Sequence, residues 1–166
     1  LGLGGSSGTG SNWNIIMGAA KTSGWSDNSH YWSFGFSNDD AITCGGWVNN
    51  FRVTNRRFRD TAAWYHLVLQ VDTTQSTAGN RTKIFVNGVQ ETSFSTSYDP
   101  SQNYDLAINN TVPQSISDTA YDSGTGPYHF DGYLAETHFF DGAVVAPSEF
   151  GETDSDTGQW IPKEYT

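Results

Sequence analysis

Apolar positions along this chain recur at intervals of two, in short runs separated by Gly, Ser, Thr, Asn and Asp. Period two is the spacing of a strand with one buried face. Residues 1–12 are Gly- and Ser-rich and read as a loop. Ile15-Ile16-Met17, inside 14–20, is a short apolar run consistent with a buried strand. Residues 22–29 are rich in turn formers. From Tyr31 to Ser37 aromatics alternate with small residues and predict a strand; Asn38-Asp39-Asp40 predicts the turn, and Ala41 to Cys44 the return. Residues 49–58 predict a further strand with Phe51 and Val53 on one face.

Two units carry stronger signals. Trp64 to Asp72 places Tyr65, Leu67, Leu69 and Val71 on one face. Lys83 to Val86, then Asn87-Gly88, then Val89-Gln90 predicts a hairpin, because both positions of its tight turn need positive φ. Asp105 to Asn109 predicts a shorter strand and Phe130 to Phe140 a long one. The faces of the long one are Tyr133, Ala135, Thr137, Phe139 and Leu134, Glu136, His138, Phe140. Residues 147–150 predict one helical turn, with Pro147 or Ser148 at its start. Residues 1–150 read as one domain and 151–166 as an irregular acidic tail. About nine strands at short spacing, without helical patterns between them, predict an all-β fold, an antiparallel β-sandwich.

Composition supports this. A chain of 166 residues buries enough surface for one self-sufficient core. Aliphatics are scarce and the net charge is −10, which alone borders on disorder. An aromatic content of 14% supplies the missing burial. Three lysines and five glutamates leave too few helix formers for a bundle. No apolar run reaches the length of a membrane-spanning helix, and no membrane insertion is expected. The acidic balance argues against nucleic acid. Arg52, Arg56, Arg57 and Arg59 form the one basic cluster; it can grip an anionic sugar or phosphate, but a strand neutralised by Asp60 and other acids is the ordinary reading. Cys44 has no disulfide partner and reads as a small buried hydrophobe.

Trp64-Tyr65-His66-Leu67-Val68, followed about twenty residues later by Ile84-Phe85-Val86-Asn87-Gly88, resembles the core of laminin-G-like jelly rolls in the concanavalin A-like lectin and glucanase superfamily. Gly132-Tyr133-Leu134-Ala135-Glu136 and Phe140-Asp141-Gly142 are similar to that family's late strand. Pro147-Ser148-Glu149-Phe150-Gly151-Glu152 and Thr157 to Lys163 resemble the tail after such domains in structural proteins of marine tailed phages. The resemblance is closest over 49–166 and looser over 1–48. It implies a jelly roll whose first strand, upstream of Leu1-Gly2-Leu3-Gly4, is missing, leaving an unpaired edge beside residues 130–140. It further implies a virion location on a tail or capsid surface, with other virion proteins as partners and a homo-oligomer within the particle.

The glucanases of that superfamily resemble one another in a Glu-x-Asp-x-Glu strand, where alternation sets two carboxylates across the scissile bond. Glu136-Thr137-His138 offers one carboxylate, then His. Glu136 and His138 on a shared face could form an acid–base or metal pair, but a hydrogen-bonded structural pair at a strand edge is the better reading, and the chain is expected not to be an enzyme. His66 reads as packed or strand-capping, and Trp64 and Trp160 as packing residues. Many laminin-G-like domains resemble one another in a rim calcium, which takes six to eight oxygens. Asp39, Asp40, Asp118 and Asp122 lie in predicted loops and are the candidate ligands, with solvated loop carboxylates as the ordinary alternative.

Sugars offer apolar C–H faces to aromatics and hydroxyls to amides and carboxylates. Trp25, Asn28, Tyr31, Trp47, Asn103, Tyr104, Tyr121 and Tyr128 lie in or near predicted loops and are the candidate glycan residues. Of the aromatics in or near those loops, Trp32 and Tyr98 included, at least half are expected to be core instead. The expected function is adhesion to host-surface polysaccharide through rim loops. The alternative is a structural module that docks on neighbouring virion proteins through its incomplete edge.

Overall fold

The computed structural model describes residues 13–21, 27–46, 48–118, 120 and 128–165. Trp25, Trp47, Tyr121 and Asp122 therefore lie outside the described residues. In chain order the strands are β1 (Asn14–Ala20), β2 (Tyr31–Phe36), β3 (Ala41–Gly46), β4 (Asn50–Arg57), β5 (Leu67–Val71), β6 (Thr82–Val86), β7 (Val89–Gln90), β8 (Phe94–Ser97), β9 (Gln114–Ile116), β10 (Gly151–Thr153) and β11 (Trp160–Pro162). One sheet has six strands in the order β8-β4-β3-β2-β1-β9, and a second has three in the order β5-β6-β7. Every ladder is antiparallel. The only helical elements among the described residues are 3-10 turns at Ala78–Asn80 and Pro147–Glu149. This is the antiparallel sandwich expected from the sequence.

The core forms where the sheets face each other. Trp32, Phe34 and Phe36 of β2, Ile42 and Cys44 of β3 and Phe51 of β4 cluster with Ile84 and Val86 of β6. Phe58 closes one side, edge-on to Phe36 at 6.0 Å and to Tyr65 at 5.4 Å between ring centroids. Such edge-to-face pairs add to simple area burial. Burial pushes the Cys44 thiol up to about 12, so it acts as a small hydrophobe and not as a nucleophile. β1 pairs with β2 beside a register shift, and closely: a Cβ at Gly35 would stand 2.2 Å from the Asn14 carbonyl oxygen.

The stronger sequence signals hold. β5 pairs with β6 from Leu67↔Val86 to Val71↔Thr82, and Asn87 (φ 49) and Gly88 (φ 76) form the tight turn into β7. The weaker ones fail where a ladder needs a partner. Phe130 to Phe140 forms no strand; its neighbour His129 makes one isolated parallel bridge to Ile15. Glu136 takes a left-handed conformation (φ 51), which breaks the alternation that a two-residue period requires. Residues 105–109 turn instead of extending, with Leu106 and Ala107 buried beneath the loop. β8 and β9, short and polar, carried no apolar pattern to read.

The stretch 151–166, read as irregular, contains the β10–β11 hairpin. Asp154 ties its turn by accepting from Asp156 N, Thr157 N and Thr157 Oγ1. The hairpin delivers Trp160 onto His66, stacked at 5.5 Å and 19°, and against the Asn87-Gly88 turn. Trp160 is thus a packing residue, as expected. Trp64 is not: it lies in the turn before β5 and is 62% exposed.

Two predictions follow from this packing. A Cβ at Gly88 would sit 2.2 Å from Trp160 Cζ3, on top of the strain of a left-handed alanine. Gly88→Ala should cost about 1–3 kcal/mol in urea unfolding, and more than Gly158→Ala, where φ is positive but the space is open. Burial also holds the His66 imidazole below its ordinary 6.5, against a weaker upward pull from Glu136. The unfolded chain therefore takes up a proton near pH 6.5 that the folded chain resists. Stability should be complete above pH 6.5 and decline as pH falls below it. His66→Phe, which keeps a ring against Trp160, should flatten the melting temperature between pH 7 and 5.

Candidate functional site

At one end of the six-stranded sheet, the β1–β2, β3–β4 and 98–104 loops meet around a recess of about 190 Å³. Its walls are Asp27, Asn28, Val48, Asn49, Tyr98, Pro100, Ser101 and Tyr104. The Asp27 carboxylate closes the β1–β2 loop: Oδ1 accepts from Ser29 N at 2.8 Å and Ser29 Oγ at 2.6 Å, and faces His30 Nδ1 at 2.8 Å. The Ser29 hydroxyl, more than His30, holds Asp27 below the usual carboxylate range. The Asn28 side chain is buried and ties the loops together. Oδ1 accepts from Val48 N (3.1 Å), and the backbone carbonyl accepts from Ala107 N (3.1 Å). Gly46 leaves the room: a Cβ there would lie 2.2 Å from Asn28 Oδ1.

The opposite wall is held by two arginines. Arg52, buried on β4, donates Nη1 to the Phe51 and Tyr98 carbonyls, both at 2.8 Å, and pairs through Nη2 with Asp99. Arg81, buried just before β6, donates to the Gln75, Ser76 and Pro100 carbonyls. Tyr98 stacks on Phe51 at 6.0 Å and 26°, yet stays partly exposed. Burial, with a smaller effect from the Asp27 charge, raises the Tyr104 phenol above its ordinary value, so Tyr104 stays neutral and can both donate and accept. The result is an aromatic and amide-lined recess on a braced loop.

The candidate residues fall into separate places. Asn28 and Tyr104 share the recess, while Asn103 is an exposed left-handed turn residue (φ 59) bonded through its N–H to the Thr73 carbonyl. Tyr31, Tyr128 and Asp118 come together elsewhere, beside β1. Burial raises the Tyr31 phenol, with Tyr128 and Asp118 adding to the shift. The Tyr128 carbonyl accepts from Ile15 N, and His129 Nδ1 lies 3.6 Å from Asp118 Oδ2.

The other candidates meet partners of their own. Asp39 pairs with Arg57 at 2.7 Å and Asp40 with Arg59 at 2.9 Å. A carboxylate oxygen engaged by guanidinium is a poor calcium ligand. Among the described residues no three Asp, Glu, His or Cys side chains converge as a metal site would need. Asp39 and Asp40 are thus already engaged as ion pairs, while Asp122, the candidate expected beside Asp118, lies outside the described residues. With Arg52–Asp99 and Arg56–Glu91, all four members of the basic cluster are paired with acids. Asp60, the expected partner, instead caps Ala62 N. Glu136 and His138 form no bonded pair: His138 stacks among Phe140, Phe150 and Tyr165.

The sequence missed Arg52 and Arg81 as supports of this site. They act on carbonyls up to 46 positions away, and carbonyls carry no sequence signature. Arg81→Met should strand three carbonyls and cost about 2–3 kcal/mol of stability. It should also speed amide exchange across 98–104 while leaving β2 and β3 protected.

The laminin G family model described as the concanavalin A-like lectin/glucanases superfamily matches residues 6–148. Neither a curated protein nor a solved structure matches the chain. Two facing antiparallel sheets, an aromatic core between them and a match over most of the length agree, and the chain belongs to the concanavalin A-like lectin/glucanase superfamily.

Proposed function

We propose that this chain is a non-enzymatic carbohydrate-binding module, and that it serves a tailed-phage particle in adhesion to host-surface polysaccharide. The observation that carries the carbohydrate reading is the recess, where Tyr98 and Tyr104 stand beside Asn28 and Asp27. Sugar recognition needs that combination of aromatic wall and polar hydrogen-bonding groups. At about 190 Å³ the recess is below the usual range for drug-sized ligands and suits one sugar ring of a longer chain. Affinity per site is then weak, and several copies on one particle supply avidity. The binding reading is favoured over hydrolysis by Glu136, which stands on an exposed left-handed turn, with His138 where a Glu-x-Asp-x-Glu strand would carry its next carboxylate. Support for the virion location is the likeness of residues 147–163 to the tails of phage structural proteins.

A glycan array tests this. Binding to a neutral bacterial polysaccharide is expected, reduced about tenfold or more by Tyr104→Ala and by Asn28→Ala in variants that keep the wild-type melting profile. Asp27 Oδ1 is already engaged by Ser29 and His30, so binding in the recess should survive EDTA. Flat responses across the array, or release of reducing ends that Glu136→Gln abolishes, would overturn the proposal.

A further inference from the structure

A cleft of about 730 Å³ runs between the sheets, along the whole of β5. Its floor is apolar: Met17, Trp32 and Phe34 of the large sheet, with Leu67, Leu69 and Val71 of β5. The backbone register makes β5 more than a wall. His66 O accepts from Asn87 N, and Asp72 N donates to Arg81 O, so His66, Val68, Gln70 and Asp72 exchange bonds with the β6 side. The N–H and C=O groups of Leu67, Leu69 and Val71 therefore point away from β6, along the open edge. β5 is the terminal strand of its sheet, and no backbone bond from a described residue reaches those groups.

Residues 133–145 lie along the same cleft but add no ladder. The charge there has one sign. Asp72 and Asp105 line the cleft, as does Glu136, which is close enough to pull on the His66 imidazole at the start of β5. Asp72, at the far end of β5, is kept charged by hydrogen bonds from Thr74 and Gln75. No lysine or arginine is among the described lining residues. Open backbone groups require backbone partners, an apolar floor requires alternate apolar side chains, and acidic ends require cations.

We propose that the β5 edge is a docking site for an extended strand of another protein, about five residues long, apolar at alternate positions and carrying Lys or Arg at its ends. A second copy of this chain fits poorly, because two edges each rimmed by acids would meet, on chains of net charge −10. The site is separate from the recess and stands or falls independently of sugar binding.

The test is selection of seven-residue peptides from a random displayed library against the whole chain, then measurement with the enriched peptide in solution. The enriched peptides should alternate apolar residues and end in Lys or Arg. Binding should slow amide exchange at Leu67, Leu69 and Val71 at least tenfold. N-methylation of alternate peptide amides should weaken binding about tenfold or more. Glu136→Gln, at an exposed position, should weaken it about threefold. Four outcomes would overturn the proposal. The selection enriches nothing, or enriches sequences without alternation. Binding survives N-methylation, which marks an apolar small-molecule pocket. Or the three amides are already protected in the free protein, which means that residues 131–146 close the edge themselves.

Discussion

Six strands face three, and this mismatch governs the rest of the molecule. Strands in a sheet stand about 4.8 Å apart, so the small sheet covers roughly half the width of the large one. Where the two overlap, the interior is finished: Phe36, Ile42, Phe51, Ile84 and Val86 are all fully buried. Where they do not, other parts of the chain must serve as cover. Leu106, Ala107 and Phe130 do so beneath irregular loops. Along β5 the cover is incomplete, and every residue of that strand is only half-buried although its partner β6 carries fully buried side chains. The same hydrophobic pattern thus gives a sealed core on one side of β6 and an open cleft on the other.

Positive charge is used to fix strands and loops, and little of it remains for partners. Four of the eight cationic side chains lie on or just after β4, and each is paired with an acid. Arg56 further covers the Phe58 ring at 4.7 Å and Arg52 the Phe94 ring at 5.5 Å. Exposed pairs such as Arg59–Asp40 contribute little. The buried Arg52 and Arg81 matter more, because five carbonyls and one carboxylate depend on them. Both hold the stretch that carries Tyr98 and Tyr104. A recess lined by two tyrosines is useful for recognition only if they are held in place beforehand, and those guanidinium groups supply that preorganisation.

What the sequence disclosed, and what it did not, follows from the range over which each signal acts. Asn87-Gly88 is local: two residues fix a turn, and the flanking apolar runs fix the register of β6 on β5 and on β7. β2, with Trp32, Phe34 and Phe36 on one face, was equally legible because its side chains alone determine which face is buried. Residues 130–140 carry as regular an alternation, yet form no strand, because a ladder needs a second backbone and alternation does not say whether one is present. Trp64 escapes burial for a related reason: it sits three residues before β5, on the side where the cover runs out. At the recess, Asn28 and Tyr104 were found by residue type and loop position. Their meeting depends on contacts across 20 to 79 positions, through Val48 and Ala107, which no local pattern encodes. Asp39 and Asp40 looked like ligands for the converse reason. Their arginine partners, at positions 57 and 59, become neighbours only once β3 returns beside β4.

The cleft itself is constrained by what water can and cannot satisfy. It is open to solvent, with Tyr133 75% and Phe139 52% exposed on its flanks. Water satisfies the outward groups of Leu67, Leu69 and Val71 at little enthalpic loss, but gains nothing from the floor formed by Met17, Trp32 and Phe34. Any occupant that replaces the water must match both, which a lone acyl chain or a lone polar ligand does not. A backbone with alternating side chains does, and this links the unequal widths of the two sheets to the chemistry of what the cleft can hold.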